Sequence, residues 1–128
     1  MNLTMDTLIK ILVADDDELV RMLIKRALEM KGFQVVESDD GDTAIEMVNS
    51  DSDIGLVILD LKMPRMNGKE AYAAIRKMKP DLKCIVSSAH INENEEEELS
   101  ALGIKAFLKT PYLIEDLYKT VHSVAADC

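Results

Sequence analysis

The chain has 128 residues, of which 48% are hydrophobic and 30% are charged, and its formal net charge at pH 7 is -9. This length fits a single domain with a real core, and the negative charge argues against direct binding to nucleic acid or to an anionic membrane, because both are polyanions that attract basic surfaces. Since neither a run of roughly 18 apolar residues nor a signal-peptide pattern is present, we predict a cytoplasmic protein without membrane insertion.

Apolar runs and helical spacings divide the chain into alternating strands and helices. An N-terminal extension at residues 1–8 precedes one domain at residues 9–126. Strands are predicted at residues 10–14, 33–37, 54–60, 83–88 and 106–108, and helices at residues 18–31, 41–49, 69–78, 92–102 and 114–125. Because consecutive parallel strands need crossover connections, this order predicts an α/β fold, a doubly wound five-stranded parallel sheet.

The helical patterns also predict caps and buried faces. Asp17 is the predicted N-cap of the first helix, and Gly32 its stop. Apolar residues of the first and third helices are expected to face the sheet: Val20, Leu23, Ile24, Ala27, Leu28, Ala71, Ala74, Ile75 and Met78. The two cysteines lack metal-ligand spacing and are expected to be reduced, Cys84 in a buried strand and Cys128 at the terminus.

Two predicted strands end in carboxylates. Asp15 and Asp16 follow the first strand, and Asp60 ends the third. Because the carboxyl ends of parallel strands meet at one edge of the sheet, where ligands bind in such folds, these side chains are expected to lie together. In the alternative interpretation, Asp60 only caps a loop and one residue of the first group is a solvated turn residue.

Three carboxylates in one pocket repel each other, by about 4 kcal/mol per pair at about 4 Å and an effective dielectric constant near 20. A proton or a cation relieves this repulsion. A small set of carboxylates open to water suits Mg²⁺, which also bridges carboxylates to phosphate oxygens. The cluster therefore predicts a Mg²⁺-dependent site for phosphate chemistry.

The chain resembles the receiver domain of two-component response regulators, including the single-domain chemotaxis type, over almost its whole length. The resemblance rests on five elements in order: Asp15 with Asp16, Asp60 with Met63, Pro64 and Gly68 in DLKMPRMNG, Ser88 with Ala89, Phe107, and Pro111. It implies a flavodoxin-like (βα)5 fold with strand order 2-1-3-4-5. It also implies a signalling switch rather than a metabolic enzyme.

In such a domain, Asp60 is the phosphoacceptor and receives the phosphoryl group from a sensor histidine kinase, a phosphotransfer protein or a small acyl phosphate. The resemblance implies that Asp16, Asp60 and the backbone carbonyl of Lys62 bind Mg²⁺, with Asp15 acting through water. The domain is expected to promote its own phosphotransfer and dephosphorylation.

The resemblance assigns the switch to Ser88, which moves its hydroxyl to the phosphoryl group, and to Phe107, which follows it inward. Ser87 is the competing assignment for the hydroxyl. Lys62 and His90 occupy the positions that tune the lifetime of the phosphoryl group. The face made by the last two helices and the fifth strand is then the surface for a downstream protein target.

One position departs from the family pattern. The family places a lysine directly before the proline that follows the fifth strand, and here that residue is Thr110, with Lys109 one residue earlier. A shift of one residue on a strand turns a side chain to the opposite face, so Lys109 reaches the phosphoryl group only if the backbone bulges. Both residues are candidates for the lysine's role, and a cis Thr110–Pro111 bond is implied.

Three functions are therefore open. The first is a receiver that is phosphorylated at Asp60. The second is an atypical receiver that acts mainly as a phosphorylation-independent protein-interaction module, because Thr110 replaces the lysine. The third is a phosphatase of the haloacid dehalogenase type, which needs a second acid two residues after the nucleophile, where this chain has Lys62.

Overall fold

Five strands alternate with five helices in residues 9–126, the part of the chain that the computed structural model describes. The strands are β1 (Lys10–Ala14), β2 (Gln34–Ser38), β3 (Ile54–Asp60), β4 (Lys83–Ser88) and β5 (Ala106–Lys109). The helices are α1 (Glu18–Met30), α2 (Gly41–Ser50), α3 (Gly68–Met78), α4 (Glu93–Leu102) and α5 (Ile114–Ala126). The N-terminal extension and Cys128 lie outside the described residues.

All five strands of the described sheet are parallel, in the order β2-β1-β3-β4-β5. This arrangement confirms the predicted fold class and strand order. β1 and β3 lie at the centre, with Ala14 paired with Leu59 at their carboxyl ends. The two strands that carry the carboxylates are therefore direct neighbours.

The sheet separates two cores, because alternate residues of each strand point to opposite faces. Ile11 and Val13 of β1 pack against α1 and α5, on what we call the α1/α5 side. Leu12 and Ala14 pack against α2, α3 and α4, on the α2–α4 side. The free thiol of Cys84 is buried in the second core, as predicted.

The helix caps follow the sequence closely. The Asp17 side chain accepts hydrogen bonds from the N–H groups of Leu19 and Val20 at 3.0 and 3.2 Å, which confirms it as the N-cap of α1. Gly32, just after the last helical turn, has a φ of 93°, a conformation that suits glycine. Among residues 9–126, no helix combines the length and apolar character that crossing a bilayer requires.

Two inward assignments were wrong. Leu23 is 53% exposed, because Ile24, Ala27 and Leu28 face the sheet and the neighbouring position is rotated by about 100° around the helix. Met78, in the last turn of α3, is 36% exposed. The predicted bounds of β2 are one residue early, because Ser38 pairs with Ala14, and β5 extends to Lys109 through its pairing with Ser88.

Candidate functional site

Three carboxylates meet at the carboxyl edge of the sheet. Asp60 is the last residue of β3, and Asp15 and Asp16 directly follow β1. Carboxylate oxygens from all three residues lie within 4.8 Å of one another. The structure therefore brings together the three acidic residues that were predicted to form a cluster.

Burial and mutual repulsion oppose ionisation of this cluster. Burial, followed by the charge of Asp15, raises the pKa of Asp60 to about 7. Burial also raises the pKa of Asp15, although its Oδ1 accepts a hydrogen bond from the Asp17 N–H at 2.8 Å. A proton, or a hard cation that prefers oxygen ligands, relieves the repulsion among these carboxylates. This donor set fits Mg²⁺.

We expect the metal-free protein to lose stability between about pH 4 and about pH 7 because of Asp60. Its folded-state pKa, about 7, lies above the ordinary value of 3.8. The stabilisation from its proton is fully present below the unfolded-state pKa and is lost as pH rises through the folded-state pKa. Because the side chain is partly exposed, we expect a loss of only about 1 kcal/mol.

Urea unfolding in the presence of a chelator measures this effect. As the pH rises over this range, the wild type should lose stability relative to Asp60→Asn. The difference between their free energies of unfolding should therefore grow by this amount. Since the other titrating groups are shared, the difference reports the titration of Asp60 together with its electrostatic coupling to Asp15. Parallel pH profiles for the two proteins would contradict the prediction.

The loop after β3 holds Asp60 in place. The backbone N–H of Lys62 donates a hydrogen bond to Asp60 Oδ1 at 3.2 Å. The Gly68 N–H donates to the carbonyl of Leu61 at 2.9 Å. A Cβ at position 68 would lie 2.3 Å from the Asp60 carbonyl oxygen, so only glycine allows the chain to return this closely. The Arg65 guanidinium pairs with Asp40 and ties the loop to the start of α2.

Two serines end β4, on opposite faces of the sheet. Ser87 is the register partner of Asp60 and therefore lies on the same, α1/α5 side. Ser88 lies on the α2–α4 side, where its buried hydroxyl accepts a hydrogen bond from the His90 N–H at 3.3 Å. Phe107, half-buried, packs on that side as well. The predicted switch residues therefore lie on the same side of the sheet, Ser88 at the end of β4 and Phe107 within the neighbouring β5.

The fifth strand turns Lys109 away from the acidic cluster. Its Nζ lies 3.3 Å from Glu96 Oε2 on α4. The Thr110 N–H donates to the Ser88 carbonyl at 3.0 Å and continues the β4–β5 ladder, so its side chain lies on the face of Leu108, the α1/α5 side. No bulge interrupts the β4–β5 register. The Thr110–Pro111 bond is cis.

Tyr112 is a residue of this region that the sequence did not single out. Its half-buried ring packs against the α1/α5 core. Burial raises the pKa of its hydroxyl, the charge of Asp15 raises it further, and the adjacent Ser87 hydroxyl lowers it. The one signal in the sequence is an aromatic residue directly after the proline that follows β5.

Comparison with known proteins identifies the family. The family model for the response regulator receiver domain matches residues 11–122. The response regulator MprA of Mycobacterium ulcerans is 36% identical over 109 residues, which cover 85% of this chain and 47% of that protein. The chain therefore spans about half the length of the curated relatives it matches.

Solved structures agree with this assignment. A response regulator receiver protein from Pseudomonas putida is 28% identical, with a TM-score of 0.85, over 90% of this chain and 96% of that one. The chemotaxis protein CheY4 from Vibrio cholerae is 25% identical, with a TM-score of 0.86, over 91% and 98%. The chain belongs to the family of response regulator receiver domains of two-component signalling systems.

Proposed function

We propose that this receiver domain accepts a phosphoryl group on Asp60 in a Mg²⁺-dependent reaction. The observation that carries the proposal is the cluster of Asp15, Asp16 and Asp60 within 4.8 Å, with Asp60 at the end of a central strand. A carboxylate in this place is open to a donor and close to the groups that bind a cation. Structure and family membership both favour this site.

In the proposed reaction, an Asp60 carboxylate oxygen attacks the phosphorus of a phosphohistidine or of an acyl phosphate. The new P–O bond forms as the bond to the leaving group breaks, and the leaving imidazole or carboxylate keeps the electron pair. The Lys62 N–H orients the attacking carboxylate through its hydrogen bond to Oδ1. The second Asp60 oxygen remains available to a cation.

Asp16, Asp60 and the backbone carbonyl of Lys62 would bind Mg²⁺, with Asp15 contributing through water. When bound, the ion neutralises charge on the phosphoryl oxygens. The same groups would admit a water molecule, whose oxygen attacks the phosphorus as the bond to the Asp60 oxygen breaks, which releases inorganic phosphate and the free carboxylate. The domain would therefore also promote its own dephosphorylation. Lys62 and His90, both exposed at the edge of the site, are placed to influence that rate.

The proposed switch uses the groups beside Asp60 on β4 and β5. The Ser88 hydroxyl donates to the His90 carbonyl and accepts from the His90 N–H, both at 3.3 Å, and would exchange these contacts for a phosphoryl oxygen. Phe107 is half-buried next to it and would move inward. The face formed by α4, β5 and α5 would then present the change to a downstream protein.

Exposed apolar side chains at the carboxyl edge support a protein as the phosphoryl donor. Leu19 lies in the first turn of α1 and is 59% exposed, while Leu113 and Ile114, at the start of α5, are 67% and 46% exposed. Both elements begin directly after loops from the edge that carries Asp60. A sensor histidine kinase or a phosphotransfer protein would dock there.

Incubation with acetyl phosphate and Mg²⁺ tests the proposal directly. Intact mass spectrometry should show one added phosphoryl group per chain, and a chelator should prevent the addition. A mass gain that survives treatment with hydroxylamine, or a gain that is independent of Mg²⁺, would contradict an acyl phosphate formed in this site.

The position of Lys109 favours a second candidate, a phosphorylation-independent interaction module. Lys109 pairs with Glu96 on α4, and Thr110 stands on the side of Asp60. Phosphorylation would then be weakly coupled to the output face. A downstream partner that binds equally well with and without acetyl phosphate would favour this function.

A further inference from the structure

Ser87 is a buried polar residue next to the proposed phosphoacceptor, and its hydroxyl makes no hydrogen bond. Its side chain is 2% exposed, and within residues 9–126 its Oγ has no hydrogen-bond partner. Buried hydroxyls without a partner are uncommon because they cost free energy. As the register partner of Asp60 on the adjacent strand, Ser87 presents this donor on the same face of the sheet.

Tyr112 brings a second hydroxyl to this place. From the loop after β5 its half-buried ring packs on the α1/α5 side of the sheet, the side of Ser87 and Asp60. Burial raises the pKa of its phenol. Two hydroxyls therefore lie on the side of the sheet that carries Asp60, and both can donate a hydrogen bond.

Thr110 leaves this side of the site without a lysine. Its side chain faces the α1/α5 side, whereas the nearest lysine, Lys109, pairs with Glu96 on the other side. We propose that the hydroxyls of Tyr112 and Ser87 are neutral hydrogen-bond donors to the anionic group bound at Asp60, in place of the lysine that Thr110 replaces. This inference rests on the proposed phosphorylation of Asp60.

The affinity of beryllofluoride, a phosphoryl mimic, tests this role at saturating Mg²⁺. Hydrogen bonds to charged groups are strong enough that Tyr112→Phe should weaken beryllofluoride binding by about tenfold. The affinity for Mg²⁺ alone should stay unchanged, because the proposed contact is with the anion. Isothermal titration calorimetry measures both quantities.

Tyr118→Phe is the matched control, because it removes a tyrosine hydroxyl that donates to the Ala27 carbonyl at 2.9 Å between α5 and α1. This variant should bind beryllofluoride as the wild type does. Ser87→Ala should also weaken beryllofluoride binding. Ser87→Thr, which keeps the hydroxyl, should bind beryllofluoride as the wild type does.

Unchanged beryllofluoride affinity in Tyr112→Phe would overturn the inference, as would an equal loss in Tyr118→Phe. A parallel loss of Mg²⁺ affinity would also overturn it, since it would indicate general disturbance of the site. Failure of the proposed function would look different. In that case the wild type itself would bind no beryllofluoride and gain no phosphoryl group from acetyl phosphate.

Discussion

Asp60→Asn is expected to abolish phosphorylation by acetyl phosphate. The substitution replaces the ionisable carboxyl with a neutral amide of nearly the same shape, and the amide lacks the nucleophilic oxygen needed to form an acyl phosphate. The fold should persist, because the variant also relieves the repulsion that raises the pKa of Asp60. Intact mass spectrometry after incubation with Mg²⁺ and the phosphodonor measures the result.

Asp81→Asn is the matched control for charge. Asp81 is exposed and lies two residues before the start of β4, at the opposite edge of the sheet from the acidic cluster. It should accept as much phosphoryl group as the wild type. If Asp60→Asn instead retained wild-type phosphorylation, the acceptor would be another residue, and fragmentation of the modified chain would locate it.

The sequence was sufficient for the fold because each local pattern pointed to the same architecture. The run at Ile54–Asp60 is apolar throughout, as expected for a central strand covered by helices on both faces. The cluster followed from that topology. Once β1 and β3 are parallel neighbours, residues at their carboxyl ends must meet, although 45 positions separate Asp15 from Asp60 in the chain.

The directions of individual side chains depend on tertiary contacts that no local pattern encodes. The Lys109 side chain lies on the face of α4 because the β4–β5 register continues without a bulge, and a single strand's sequence does not predict that register. Leu23 matches the helical spacing of the buried residues, yet it is exposed, because the packing of α1 on the sheet decides how many positions of the helix are covered. Tyr112 packs on the side of Ser87 after the chain bends at Thr110 and Pro111, and neither residue type marks such a site in a sequence.

Gly68, in the motif after Asp60, occupies a position where only glycine fits. The chain returns so closely at Gly68 that a side chain there would collide with the backbone of Asp60 and Leu61. The Gly68 N–H bond to Leu61 and the N-cap at Asn67 then start α3 directly from this contact. The geometry of Asp60 and the start of the next helix are therefore fixed together.

Thr110→Lys is expected to strengthen the binding of beryllofluoride at saturating Mg²⁺ by about 10- to 100-fold. The Thr110 side chain lies on the same side of the sheet as Asp60 and its register partner Ser87, so a lysine there would bring an ammonium group to the bound anion. Charge-assisted hydrogen bonds contribute about 1.5 to 3 kcal/mol, which corresponds to this range. Isothermal titration calorimetry on the two proteins provides the comparison.

Two further variants separate charge from position. Thr110→Met adds comparable length without a charge and should leave the affinity near that of the wild type. Lys109→Ala should also have little effect, because Lys109 Nζ lies 3.3 Å from Glu96 on α4, on the far face of the strand. If Lys109→Ala abolished binding, Lys109 would already supply the cation. If Thr110→Met bound as tightly as Thr110→Lys, no cation would be needed. The response to a lysine at position 110 therefore measures how strongly a charged side chain on the side of Asp60 would bind the anion.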